Sequence, residues 1–147
     1  MKFRALFYLS LLALLALLLA ACGSTSTSPE QGGEVMGFAR NADGYADVTA
    51  EQAAGLLEDQ DLTVVNVHIP YEGEIPQTDL FIPFDEILAH QDELPAKDAP
   101  ILLYCRSGSM STTAAQDLVE AGYTNVMEMD GGFRAWETAG YQLLNNP

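Results

Sequence analysis

The chain has 147 residues, 48% of them hydrophobic, with 6 basic and 21 acidic side chains and a net charge of −15. That length suits one compact domain with its own core. The acidic balance makes nucleic acid and anionic lipid surfaces poor partners, because both carry the same sign. Two cysteines, Cys22 and Cys105, are too few for a disulfide framework.

Met1-Lys2-Phe3-Arg4 is a short basic start, and Ala5 to Ala21 is then almost wholly apolar, as in a secretory signal. Such a run lies at the lower edge of membrane-spanning length, so a retained anchor helix is the competing expectation. Leu19-Ala20-Ala21-Cys22 resembles the lipobox of bacterial lipoproteins, in which the cysteine is lipidated and becomes the new N-terminus. The expected layout is a lipoprotein signal peptide over residues 1–21, a lipidated tether over 22–33, rich in Gly, Ser and Thr, and one domain over 34–147. Cleavage leaves 4 basic residues against all 21 acidic ones, a charge of −17. The expected location is extracytoplasmic, lipid-anchored to a bacterial membrane, with membrane contact through the N-terminal lipid alone. Several acyl chains hold a protein firmly where one does so only marginally. With Cys22 lipidated, Cys105 has no disulfide partner within the chain.

Thr49-Ala50-Glu51-Gln52 has the form of a capping box, and Ala53, Ala54, Leu56 and Leu57 continue a helical face. Leu62 to Val67 is β-branched and apolar on both faces, which predicts a strand buried in a parallel sheet. His68 to Asp79 holds Pro70, Gly73 and Pro76 and is expected to be a loop. Leu80 to Pro83 predicts a short strand, and Asp85 is placed to cap a short helix over Glu86 to Gln91. After a loop over Asp92 to Pro100, Ile101 to Cys105 predicts a third strand, and Ser111 to Ala121 a helix with Gly122 just past its end. Val126 to Met129 predicts a fourth strand, Phe133 to Ala139 a last helix stopped by Gly140, and Tyr141 to Leu144 an edge strand. Strands alternating with helices predict an α/β fold with a mainly parallel central sheet of four to five strands. Ligands in such folds sit beyond the carboxyl ends of the strands, where Cys105 falls.

The run Leu103-Tyr104-Cys105-Arg106-Ser107-Gly108-Ser109-Met110-Ser111 carries the chemistry. A strand ends in a cysteine, a loop of small residues follows, and a helix begins. Backbone N–H groups and the positive end of a helix then face the sulfur, and both favour negative charge there. The segments ILLYCRSGSMS, AAQDLVEAGYTNV and MDGGFRAWETAGY resemble those of rhodaneses, the single-domain sulfurtransferases. Upstream, Asn66-Val67-His68-Ile69-Pro70-Tyr71-Glu72 is similar to the family's D-V-R-x-P-x-E segment, Gly73-Glu74-Ile75-Pro76 to its G-H-I-P, and Ile82-Pro83-Phe84-Asp85-Glu86-Ile87 to a later segment. The likeness runs from about Val48 to Leu144. It implies the rhodanese-like fold, no cofactor, and a Cys105 that takes sulfane sulfur from a donor such as thiosulfate or polysulfide and passes it, as a persulfide, to a thiol or cyanide. The implied partners are a small sulfur-containing anion or a protein thiol, with a reducing or sulfur-accepting protein to keep Cys105 in use.

Arg106, Ser107, Gly108, Ser109, Met110 and Ser111 are the candidate substrate-binding loop, with Ser107 and Ser109 as candidate hydroxyl donors. His68 and Glu72 are candidate wall residues. Phosphatase relatives of the fold use a longer loop closed by an arginine that clamps phosphate. Ser111 stands at that position, so the bidentate fork is missing. Family members often carry arginine where Met110 stands, and Asp and Arg where Asn66 and His68 stand, so an ion pair is replaced by neutral polar groups. No ligand spacing supports a metal site. Two other functions stay open: a non-catalytic rhodanese-like binding module, and a thiol redox sensor that needs a partner thiol.

Overall fold

The computed structural model describes residues 33–144; the expected signal peptide over 1–21, nearly all of the expected tether over 22–33, and Cys22 lie outside the described residues. A two-stranded antiparallel hairpin, β1 (Glu34–Val35) and β2 (Phe38–Ala39), precedes the main sheet. The elements then run β3 (Ala46–Val48), α1 (Ala50–Asp59), β4 (Thr63–Asn66), β5 (Leu80–Phe81), a 3₁₀ helix (Phe84–His90), β6 (Ile101–Tyr104), α2 (Ser109–Glu120), β7 (Val126–Met129) and α3 (Gly132–Thr138). The five main strands are all parallel, in the order β3-β7-β6-β4-β5.

Strand side chains alternate between faces, and the sheet has a core on each. Val64, Leu102, Tyr104, Met127 and Met129 join α1 and the Phe133 and Trp136 side of α3 in one core. Val65, Val67, Ile101, Leu103 and Val126 join Ile87, Ala114, Ala115 and Leu118 in the other. Continuing the alternation of β6 by one residue puts Cys105 in this second core, under α2.

The capping box forms as the sequence predicts: Thr49 Oγ1 accepts from Gln52 N–H, and Gln52 Oε1 accepts from Thr49 N–H. The structure differs at four places. The segment after Pro83 is a 3₁₀ helix from Phe84, and Asp85 does not cap it. Phe84 N–H is committed to the Val67 carbonyl at 3.1 Å, which sets the start, and only Ile87 is buried, so no apolar face favours a longer α-helix. Helix α2 begins at Ser109, with Gly108 as its N-cap, two residues before the expected start. Tyr141–Leu144 makes one antiparallel bridge with Glu74 in place of a strand. It is held across α3, where Tyr141 packs 4.5 Å from the Trp136 ring and the Trp136 indole N–H donates to the Gln142 carbonyl. Strand β3 and the β1–β2 hairpin have no counterpart in the predicted elements, since two- and three-residue strands give almost no periodicity.

Loop 68–79 is tied to the sheet by buried polar groups. Asn66 Nδ2 donates to the Gly73 carbonyl and Asn66 Oδ1 accepts from His68 N–H, each at 3.0 Å. Tyr104 Oη accepts from Ile75 N–H at 3.1 Å and lies 2.7 Å from Thr78 Oγ1. Burial holds the Tyr104 hydroxyl well above the usual phenol range.

Candidate active site

Cys105 sits one residue beyond β6, 1% exposed. Gly108 N–H donates to its Sγ at 3.2 Å, and the Ser111 hydroxyl lies 3.3 Å from the same sulfur. Gly108 reaches this position at φ +102°, a region that glycine enters without strain. Ser111 is the third residue of α2 and fully buried. The sulfur therefore lies beside the first turn of a 12-residue helix, with an amide and a hydroxyl turned toward it.

The far side of the loop is fixed by α3. Phe133 N–H donates to the Cys105 carbonyl at 2.9 Å and Arg134 N–H to the Arg106 carbonyl at 3.1 Å. The approach leaves no room for a side chain at Gly132: a Cβ there would lie 2.2 Å from the Cys105 carbonyl oxygen. The Asp130-Gly131-Gly132 turn is thus the part that locks the cysteine loop against the last helix.

The remaining predicted residues divide. Ser107 and Ser109 are exposed, and neither hydroxyl is bonded to the sulfur; Ser109 opens α2 instead. Met110 is partly buried against the second core. Arg106 is paired with Glu72, its Nη1 standing 3.2 Å from Oε1 and 3.1 Å from Oε2. The same carboxylate holds His68 Nε2 at 3.1 Å. Glu72 therefore bridges the wall and the loop. His68 is 6% exposed, its ring edge-on to Phe133 at 5.5 Å, and its Nδ1 is buried with no hydrogen-bond partner. The Asn66 and His68 side chains do not pair with each other; the asparagine holds the histidine's backbone. Among the described residues no group of three or more His, Cys, Asp or Glu side chains is placed to hold a metal ion.

One residue of the site escaped the sequence reading. Glu128, in β7, is 2% exposed, and its Oε1 accepts from the Ser111 hydroxyl at 2.5 Å. Burial pushes its carboxyl up to about 7, with the Ser111 bond pulling the other way and the charges of Asp130 and Asp47 adding to the rise. The signal was present in the strand Val126-Met127-Glu128-Met129, where an acid stands among three apolar residues, on the face that α2 covers.

The model of the rhodanese-like domain matches residues 49–139, more than half of the chain. The chain belongs to the rhodanese-like domain family. It is 34% identical over 98 residues to the thiosulfate sulfurtransferase GlpE of Pseudoalteromonas translucida, covering 65% of this chain and 91% of that protein. It is likewise 34% identical over 92 residues to a sulfurtransferase of Allochromatium vinosum, covering 60% and 84%. Among solved structures, a rhodanese-related protein from Thermoplasma volcanium superposes with a TM-score of 0.59 at 25% identity, over 68% of this chain and 98% of that one. Similarity of this extent over most of the domain makes this rhodanese a sulfurtransferase in general activity.

Proposed function

We propose that the protein moves sulfane sulfur from a small donor such as thiosulfate or polysulfide to a thiol or cyanide through a persulfide on Cys105. The observation that carries the reading is the seat of the buried Sγ between Gly108 N–H and the Ser111 hydroxyl. The thiolate attacks the outer sulfur of the donor. With thiosulfate, one S–S bond breaks, sulfite leaves with the electron pair, and a new S–S bond forms, so that Cys–S⁻ plus S₂O₃²⁻ gives Cys–S–S⁻ plus SO₃²⁻. The acceptor's nucleophile then takes the terminal sulfur and restores the thiolate. The loop favours the anionic forms at each stage because its donors are fixed before the charge arrives.

Because Arg106 is paired with Glu72, the backbone N–H of Gly108 and the Ser111 hydroxyl are the contacts offered to the reacting sulfur. Ser111 at the loop's end supplies no phosphate fork, which favours sulfur over phosphoryl chemistry. Lipid attachment through Cys22, with the domain outside the cytoplasm, belongs to the same proposal and rests on the Leu19-Ala20-Ala21-Cys22 motif alone. Mass spectrometry of the N-terminal peptide from cells expressing the full chain tests it: an unlipidated, uncleaved terminus would refute it.

The deciding experiment is intact-protein mass spectrometry after incubation with thiosulfate or polysulfide. The wild-type protein is expected to gain one sulfur on Cys105, and Cys105→Ala to gain none and lose all transfer to cyanide. A wild-type protein that takes up no sulfur from either donor would point to the binding-module reading instead.

A further inference from the structure

The Ser111 hydroxyl has one proton and stands within reach of three acceptors: Glu128 Oε1 at 2.5 Å, the Gly108 carbonyl at 2.9 Å and Cys105 Sγ at 3.3 Å. Its shortest contact is in the range of a charge-assisted O–H···O bond. The hydroxyl can donate to one neighbour while accepting from another. Cys105, Ser111 and Glu128 are each at most 2% exposed.

We infer that Cys105 and Glu128 form a coupled thiol–carboxyl pair that shares one proton through the Ser111 hydroxyl, with Glu128 the positioning residue that governs when the thiol is ionised. The inference rests on Cys105 being the sulfur carrier proposed above. In one arrangement Cys105–SH donates to Ser111 Oγ, whose own proton points to the Glu128 carboxylate. In the other, the Glu128 carboxylic acid donates to Ser111 Oγ, whose proton points to the Cys105 thiolate. Interconversion moves two protons by one step each, and the net charge of the row stays at −1. Loss of the second proton would set two negative charges in a buried space, and is opposed.

The groups facing Glu128 reinforce this behaviour. From β3 comes Asp47, its register partner, and from just before that strand Tyr45; from just after β7 comes Asp130; from β6 comes the apolar Leu103. The charged groups acting on it are acidic, so no cation pins the carboxyl in its ionised form. Its proton affinity near neutrality lies within reach of a thiol's ordinary range.

Two measurements on the intact protein test the inference. The rate of Cys105 alkylation by iodoacetamide is followed across pH for wild type and Glu128→Gln. The glutamine amide donates to Ser111 as the carboxylic acid does, but cannot ionise. The wild type is expected to show two steps and the variant one, with equal rates at acid pH and severalfold faster alkylation of the variant at mildly alkaline pH. In wild type, carbon-13 NMR of the Glu128 carboxyl is expected to show a two-step titration that becomes a single step once Cys105 is alkylated. Superimposable alkylation profiles, or a Glu128 titration indifferent to alkylation, would overturn the pair. Sulfur loading with uncoupled titrations would refute the pair and leave the transfer reading intact. Coupled titrations without sulfur loading would do the reverse.

Discussion

Replacing Glu128 with glutamine should change stability in a way that depends on pH. The carboxyl is raised from an ordinary value of 4.5 to about 7, chiefly by burial. The folded protein therefore holds this proton more tightly than the unfolded chain does. A raised folded value means that the contribution to stability is complete below pH 4.5 and is lost as pH rises to about 7. The interval of about 2.5 units, at 1.36 kcal/mol per unit, corresponds to a penalty of about 3 kcal/mol once the carboxylate is fully charged. Glutamine keeps the shape and the bond to Ser111 without the charge. Urea unfolding at about pH 4 and about pH 8 should show variant and wild type within about 0.5 kcal/mol at the lower pH, and the variant more stable by about 2–3 kcal/mol at the higher. An equal offset at both values, or a variant less stable at the higher pH, would show that Glu128 is not a buried acid of the kind described.

Three other outcomes follow from the same contacts. Gly132→Ala places a Cβ 2.2 Å from the Cys105 carbonyl at φ +57°, and should cost about 2–5 kcal/mol in thermal or denaturant unfolding and displace the cysteine loop, with sulfur loading reduced accordingly. A variant with wild-type stability and loading would mean the close approach is not required. Glu72→Gln releases Arg106 to approach an anionic donor; with thiosulfate the KM should fall about two- to fivefold at little change in kcat, the range of a half-exposed ion pair, and a KM that rises would show the Glu72 bridge to be part of the donor site. Tyr104→Phe strands the Ile75 N–H and should cost about 1–3 kcal/mol by urea unfolding; a neutral result would mean water replaces the hydroxyl.

The sequence carried the fold well where elements were long or capped. The Thr49 box, the Val126–Met129 strand and the alternation of β6 that ends in Cys105 were all readable, because period and cap chemistry are local properties. Strand β3 was not, since three residues around an exposed Asp47 owe their form to pairing with β7. Within the site, the cysteine, the loop glycine and Ser111 were legible from their order in the chain. The links from Glu72 to Arg106 and from Ser111 to Glu128 were not, because they span 34 and 17 residues and depend on which sheet face each side chain takes. Ser107 and Ser109 show the reverse: proximity in sequence put them beside the sulfur, and the helix start at Ser109 turned them outward.

The lock between Gly132 and the cysteine loop also sets an order of events. The carbonyls of Cys105 and Arg106 are held by amides of Phe133 and Arg134, which are among the last residues of the domain to be synthesised. A chain that stops at Asp130 contains Cys105, its strand and helix α2, but not the clamp. The Cys105 loop takes its held form only when α3 closes on it, so docking of that helix and the seating of the sulfur are the same step.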